Sequence, residues 1–391
     1  MENQEQILSL LPRHIRKIVQ AKIASPFLLP KTKDGFLNMD TPVSPFGTVG
    51  TDETYNTQPD SKAKILKNEL SAYSKINTNQ ISIGNGSDEF LDLLIRTFCN
   101  PHEDRILCFS TGNQRVVHHA KMNAVEVDEL SLEGDFELPV FDIKRTITDT
   151  TKIIFIENPN QITGNCFSNF DIIDLATGFE GIIVIDEAAI DYAMNKSLLS
   201  MISLCNNVII IQGFCRAWGL SGLPIGIAYA QPQIISILNL LKPPFSVNIM
   251  AQRMAVKALY VTDQKDRIVQ KTIEERTQVK NALEKLPHIT KVHDSETNTL
   301  LIEVENVADT IAYLRNEEQI FVYDASEIPG LENCIRITIG LSIQNMSFVK
   351  AMQSMPSKTS KGYIFWRGVG KTLRKASVYL GVLKKMFGAG S

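Results

Sequence analysis

The residues of this chain with chemistry to offer are acids, guanidinium groups and a glycine turn, each set just after a short apolar run. Asp186 and Glu187 follow Ile182-Ile183-Val184-Ile185, which puts a carboxylate at the C-terminal edge of an expected strand. Open α/β sheets place their ligands at that edge, although such an acid can also simply cap a turn. Gly84-Asn85-Gly86-Ser87-Asp88-Glu89 lies between an apolar strand and an amphipathic helix. Free N–H groups at a helix start can hold a phosphate, while Ser87 or Asp88 would equally serve as an ordinary N-cap. The loop from Gly213 to Gly226 carries Cys215 and Arg216. A guanidinium stays protonated at neutral pH, so Arg216 cannot condense with an aldehyde.

The elements that must position these groups alternate. Strand-like runs at 80–83, 105–109, 152–156, 181–185, 207–211 and 225–229 are interleaved with helical stretches such as 88–98 and 231–241. Short apolar strands separated by helices predict an α/β protein with a mostly parallel central sheet covered on both faces. Residues 250–286 read as one long charged helix, followed by strand candidates 299–304, 320–323 and 334–339, which predict a smaller α+β domain. Four regions are expected: an N-terminal helix and arm over 1–45, grouped with the small domain; a large domain over 46–250; a small domain over 251–355; and a tail over 356–391.

At 391 residues and 44% apolar content, the chain can bury two sizeable cores. The first residues lack the profile of a secretory signal and no uncharged apolar run is long enough to span a bilayer, so a cytoplasmic location is expected. Six cysteines are scattered without a Cys-x-x-Cys pair and read as reduced thiols. His118 and His119 are adjacent and point in different directions, so no metal site is expected. The net charge of −3 conceals an asymmetry: residues 333–391 hold ten Lys or Arg and no acid, which leaves 30 basic and 43 acidic residues elsewhere. Within the tail, Trp366, Val369, Leu373, Ala376, Leu380, Leu383 and Phe387 recur at spacings of three and four beside Lys371, Arg374, Lys375, Lys384 and Lys385. That pattern describes a basic amphipathic helix, for docking on the acidic body, an anionic membrane surface or a partner protein. No nucleic-acid partner is expected.

Together these motifs resemble the histidinol-phosphate aminotransferases, fold-type-I pyridoxal-phosphate enzymes, over about residues 35 to 345. The loop Gly213-Phe214-Cys215-Arg216-Ala217-Trp218-Gly219-Leu220-Ser221-Gly222-Leu223-Pro224-Ile225-Gly226 has the outline of the family's lysine loop, with Arg216 in the lysine position. Ile185-Asp186-Glu187-Ala188-Ala189-Ile190-Asp191-Tyr192 is similar to the family's Asp-Glu-Ala-Tyr segment, in which the first acid holds the cofactor's pyridine nitrogen protonated. Asn158-Pro159-Asn160-Gln161-Ile162-Thr163-Gly164 resembles its Pro-Asn-Asn-Pro-Thr-Gly turn, with Gln161 where an asparagine contacts the ring oxygen. Ile335-Arg336-Ile337-Thr338 matches the motif whose arginine binds the substrate carboxylate.

The resemblance implies a cofactor-type site of Gly86, Ser87, Asp88, Gln161 and Asp186, with Tyr55 reaching a partner subunit's phosphate and Arg336 and Tyr323 at the substrate. It also marks departures around one ring. Cys215 replaces a phosphate-binding serine, Pro224 an arginine, Ala189 a tyrosine, and Ser110–Arg115 a segment that carries a stacking aromatic. Tyr323 replaces the arginine that would bind a phosphorylated substrate. The expectation is a homodimeric aminotransferase-fold protein that forms no covalent aldimine, with a remodelled cleft for a small anionic ligand or a scaffold role. A second reading makes it a different enzyme in which Arg216, Arg336 and Asp186 bind an anionic substrate and Cys215 is the nucleophile. A third keeps pyridoxal phosphate or pyridoxamine phosphate as a non-covalent cofactor.

Overall fold

A computed structural model describes residues 2–21, 43–112 and 114–355. The basic tail, Asn113 and most of the arm between 22 and 42 lie outside the described residues. Eleven strands form two sheets. The large sheet contains β1 (Ile81–Gly84), β2 (Arg105–Phe109), β3 (Glu126–Leu130), β4 (Thr151–Glu157), β5 (Ile182–Asp186), β6 (Val208–Gly213) and β7 (Gly226–Tyr229) in the order β1-β7-β6-β5-β4-β2-β3. It is mixed, since β7 runs antiparallel to both β1 and β6. The other pairs are parallel, and their C-terminal ends share one edge.

Why these runs are continuously apolar is visible in their burial. Ile154, Ile156, Ile183, Ile185, Val208 and Ile210 pack into one core. Their alternates Ile153, Phe155, Ile182, Val184, Ile209 and Ile211 pack into another on the opposite face. Two-sided burial removes the polar alternation of a half-exposed strand. The edge strand β3, Glu-Val-Asp-Glu-Leu, is mostly polar with no fully buried residue, and the apolar criterion missed it.

The small sheet is antiparallel, in the order β10 (Tyr323–Asp324), β11 (Cys334–Thr338), β9 (Thr299–Val304), β8 (Ile289–Val292). One face packs on the helices Thr262–Leu283, Val307–Asn316 and Ser342–Ser354. The other meets Ile162 from the turn after β4, which brings the small sheet against the edge of the large one.

Three sequence expectations need correction. The N-terminal helices do not join the small domain: Ile7, Leu11 and Ile15 pack with Phe90, Leu91, Ile234 and Leu238 on the large sheet, where their apolar stripe finds a complementary one. The expected helix over 250–286 is two helices, Ile249–Leu259 and Thr262–Leu283, broken at Tyr260 and Val261. Asn248 caps the first by accepting from the Ala251 N–H at 2.8 Å. Ala251 and Ala255 then pack with Leu66 and Leu70 of the helix Lys64–Ser74, so the first helix belongs to the large body and a boundary at 250 falls on its opening residues. Finally, the expected strand over 320–323 shrinks to Tyr323–Asp324, with Phe321 exposed and stacked under Arg315.

Candidate functional site

The helix Gly86–Phe98 follows β1 through Asn85, with Gly86 at φ +80°, a left-handed conformation that disfavours side chains. Gly226 of β7 lies directly beneath, and a side chain there would run into the Gly86 carbonyl. Pro224 packs beside Gly86. No side chain caps the helix start. Instead, Arg115 from the helix Gln114–Met122 reaches over it. Its Nη1 donates to Ser87 Oγ at 3.2 Å and to Asp88 Oδ1 at 2.8 Å. Its Nη2 donates to Asp186 Oδ2 at 3.2 Å. One guanidinium thus spans the helix start and the strand-end acid, and the cavity left between Arg115, Asp186, Gly112 and Phe155 is about 10 Å³. That is room for one water.

Asp186 has a neighbour the sequence reading did not single out. Glu157 ends β4 and is its direct partner in register, so two carboxylates stand side by side. Both are buried. Desolvation first, and the Asp186 charge second, push Glu157 up to about 8, against the Gln161 N–H that it accepts at 3.3 Å and the charges of Arg115 and Arg216. Burial also pushes Asp186 upward, but Arg115 and the Ala188 N–H at 2.9 Å oppose it. The ion pair with Arg115 marks Asp186 as the ionised member and Glu157 as the one that keeps its proton. Glu187 points elsewhere: it accepts from the Leu198 N–H at 2.6 Å, Ser197 Oγ at 2.8 Å and Gln212 Nε2 at 2.8 Å. It straps the following turn to β6.

The opposite wall comes from the small sheet. Arg336 on β11 faces its register partner Tyr323, with the guanidinium 4.4 Å from the ring centre. Its Nη1 donates to the Gln161 carbonyl at 3.3 Å, while its Nε is buried without a partner among the described residues. Burial first, with the nearby Arg216 charge also acting, lowers its pKa. Arg216 is exposed, and its guanidinium makes no hydrogen bond or ion pair among the described residues. Its charge acts on Glu157, Asp186 and Arg336, so it lies in the same cleft.

Most predicted site residues therefore converge: Gly86, Ser87, Asp88, Gln161, Asp186, Arg216 and Arg336, with Tyr323 beneath the last. Tyr55, expected to reach a partner subunit, holds its N–H on Thr48 Oγ1 at 2.8 Å and its ring 5.9 Å from the Arg253 guanidinium. Cys215 is half-buried and its sulfur makes no hydrogen bond among the described residues; Ser221 Oγ binds its carbonyl at 2.8 Å. The Gln161 side chain reaches no ring-oxygen partner of its own chain: its Nε2 is buried and unpaired among the described residues. Glu157 was legible in principle, as the acid that ends the apolar run of β4; Arg115 carried no signal, since a helix-start arginine is ordinary.

A family model, aminotransferase class I and II, matches residues 32–349. The chain belongs to that family. It is 38% identical over 300 residues to a histidinol-phosphate aminotransferase of Flavobacterium psychrophilum, covering 77% of this chain and 86% of the relative. Its fold matches the histidinol-phosphate aminotransferase of Clostridium acetobutylicum with a TM-score of 0.70 at 22% identity, covering 76% of this chain and 90% of that one. It also matches the Sinorhizobium meliloti enzyme in complex with pyridoxal-5'-phosphate, with a TM-score of 0.69 at 18% identity, over 77% and 84% of the two chains. The family is pyridoxal-phosphate dependent. In this family member Arg115 lies across both the helix start and the strand-end acid.

Proposed function

We propose that this protein is an aminotransferase-family member that does not carry out Schiff-base transamination and instead binds a small anion between Arg216 and Arg336. The observation that carries this reading is Arg115, whose ties to Ser87, Asp88 and Asp186 take up the groups that a cofactor's phosphate and ring nitrogen would need. Arg216 in the lysine-loop position supports it, since no amine stands there to form an aldimine. With Arg115 on the helix start and on the strand-end acid, the residues of the cleft do not fit the family's cofactor. Arg216 and Arg336, one without an acid partner among the described residues and the other with an unpaired Nε, are the donors left for a carboxylate or phosphate.

The test is spectroscopic. Purified protein mixed with pyridoxal phosphate gains no visible aldimine band and borohydride fixes no label on a lysine; stoichiometric labelling of one lysine overturns the reading. Arg216→Lys alone restores no transamination, because Arg115 still closes the cleft. Calorimetry with a carboxylate or phosphate ligand loses most of its signal in Arg216→Ala if the anion sits where we place it. We further read the arm as meeting a second copy of the chain, on the exposure of Phe46 and Val49 (96% and 100%) beside Tyr55. Phe46→Asp with Val49→Asp then sediments as a monomer.

A further inference from the structure

A separate cavity, about 260 Å³, gathers three ammonium groups and no acid on its wall. Its lining includes Ser61, Lys62, Lys67, Ser236, Asn239 and Lys242. Lys67 projects from the helix Lys64–Ser74, and Lys242 follows the helix Pro232–Leu241. Lys242 is 8% exposed and donates to the Ile83 carbonyl, which satisfies one of its three protons. The Lys67 ammonium has no hydrogen bond or ion pair among the described residues.

The acids within range each hold a backbone N–H, and Glu89 keeps one oxygen, Oε1, without a partner among the described residues. Asp60 accepts from the Lys62 N–H at 3.0 Å and the Lys64 N–H at 2.9 Å. Glu89 Oε2 holds the Asn85 N–H. The outcome is electrostatic crowding: burial first, then the charges of Lys242 and Lys62, bring Lys67 down to about 8, with Asp60 opposing. Lys242 is lowered by burial, with Glu89 opposing. Asn239 Oδ1 already accepts from Ser82 Oγ at 2.8 Å, so its amide has only N–H donors left to offer.

We propose that this cavity is a second anion site, for phosphate or a phosphomonoester, sharing no residue with the Arg216–Arg336 cleft. Like charges in a half-buried cavity repel, and burying Lys242 with one carbonyl partner leaves donors unmet; both are relieved by a dianion with several acceptor oxygens. A monocarboxylate offers half the charge and fewer acceptors. Ser61 and Ser236 supply neutral hydroxyl donors at the wall.

The experiment is calorimetric titration of the full-length protein with inorganic phosphate, glycerol 3-phosphate and, as control, acetate. Lys67→Met weakens one phosphate-binding event about tenfold, the loss of one charge-assisted hydrogen bond. Lys67→Arg retains it, which excludes a folding defect as the cause, and Arg216→Ala leaves it intact. NMR of labelled lysine methylenes shows a group titrating near 8 that moves upward when phosphate is added. Tighter binding of glycerol 3-phosphate than of phosphate identifies a monoester ligand; equal binding identifies phosphate itself. The proposal is overturned if Lys67→Met binds phosphate as the parent does, if Arg216→Ala abolishes all phosphate binding, if acetate binds as tightly, or if the Lys67 titration ignores phosphate.

Discussion

The cleft at the ends of β4 and β5 and the cavity between Lys67 and Lys242 handle buried charge in opposite ways. In the cleft, Arg115 lies between Asp88 and Asp186, and Glu157 keeps its proton, so the buried Asp186 charge meets an opposite charge of its own chain. In the cavity, Lys67 and Lys242 face each other with their nearest acids already holding backbone N–H groups. A cluster whose charges pair within the chain is a structural element. An unbalanced one is a demand for a counter-ion. The contrast explains why the position that family membership marks as the active site holds an internal cation, while unmet charge lies in a cavity the family motifs do not mark.

The largest expected effect breaks the balanced side. Arg115→Met leaves Asp186 buried beside Glu157 with its main cation gone, and costs about 2 kcal/mol of stability by denaturant unfolding. The figure lies below that of a fully buried pair because the Arg115 side chain is 41% exposed. Adding Asp186→Asn recovers most of the loss; additive losses in the double variant would show that Arg115 acts through packing and not through the acid.

A smaller effect is a pH dependence. Glu157 is raised from 4.5 to about 8 in the folded protein, so the folded state binds the extra proton between those values. Its contribution is fully present below pH 4.5 and is lost as pH rises toward 8. Glu157→Gln keeps an acceptor for the Gln161 N–H, so it melts with the parent near pH 5 and above it at pH 8, by about 2–4 °C for each 1 kcal/mol gained. Glu187, raised to about 7 by burial, slopes the same way in both proteins and cancels in the comparison.

On the unbalanced side the sign reverses. Lys67 is lowered from 10.5 to about 8, so the unfolded chain binds more protons between those values and stability rises with pH across that window. Lys67→Met in phosphate-free buffer is therefore more stable than the parent at pH 7, and the gain shrinks toward pH 10. The smallest effect is Gln161→Leu. Removing an amide whose Nε2 is buried and unpaired leaves stability unchanged within about 0.5 kcal/mol, since no bond is lost and a desolvated donor is removed.

What the sequence determined is local or periodic. The apolar runs of β2, β4, β5 and β6, the glycine-marked helix start at Gly86, the strand-end Asp186 and the fold they imply are all legible, because backbone preference and two-sided burial write themselves into neighbouring residues. The family motifs likewise placed Arg336 and Arg216 at one cleft. What the tertiary structure alone decided involves residues far apart in the chain: Arg115 laid across Ser87 and Asp186, Glu157 paired in register with Asp186, and Lys67 brought to Lys242 across the large body. The same holds for the antiparallel β7, whose four residues read as any other strand until its partners are known. A side chain's type is a property of its position in the sequence; its partner, and with it the charge it carries and the space it fills, is a property of the fold.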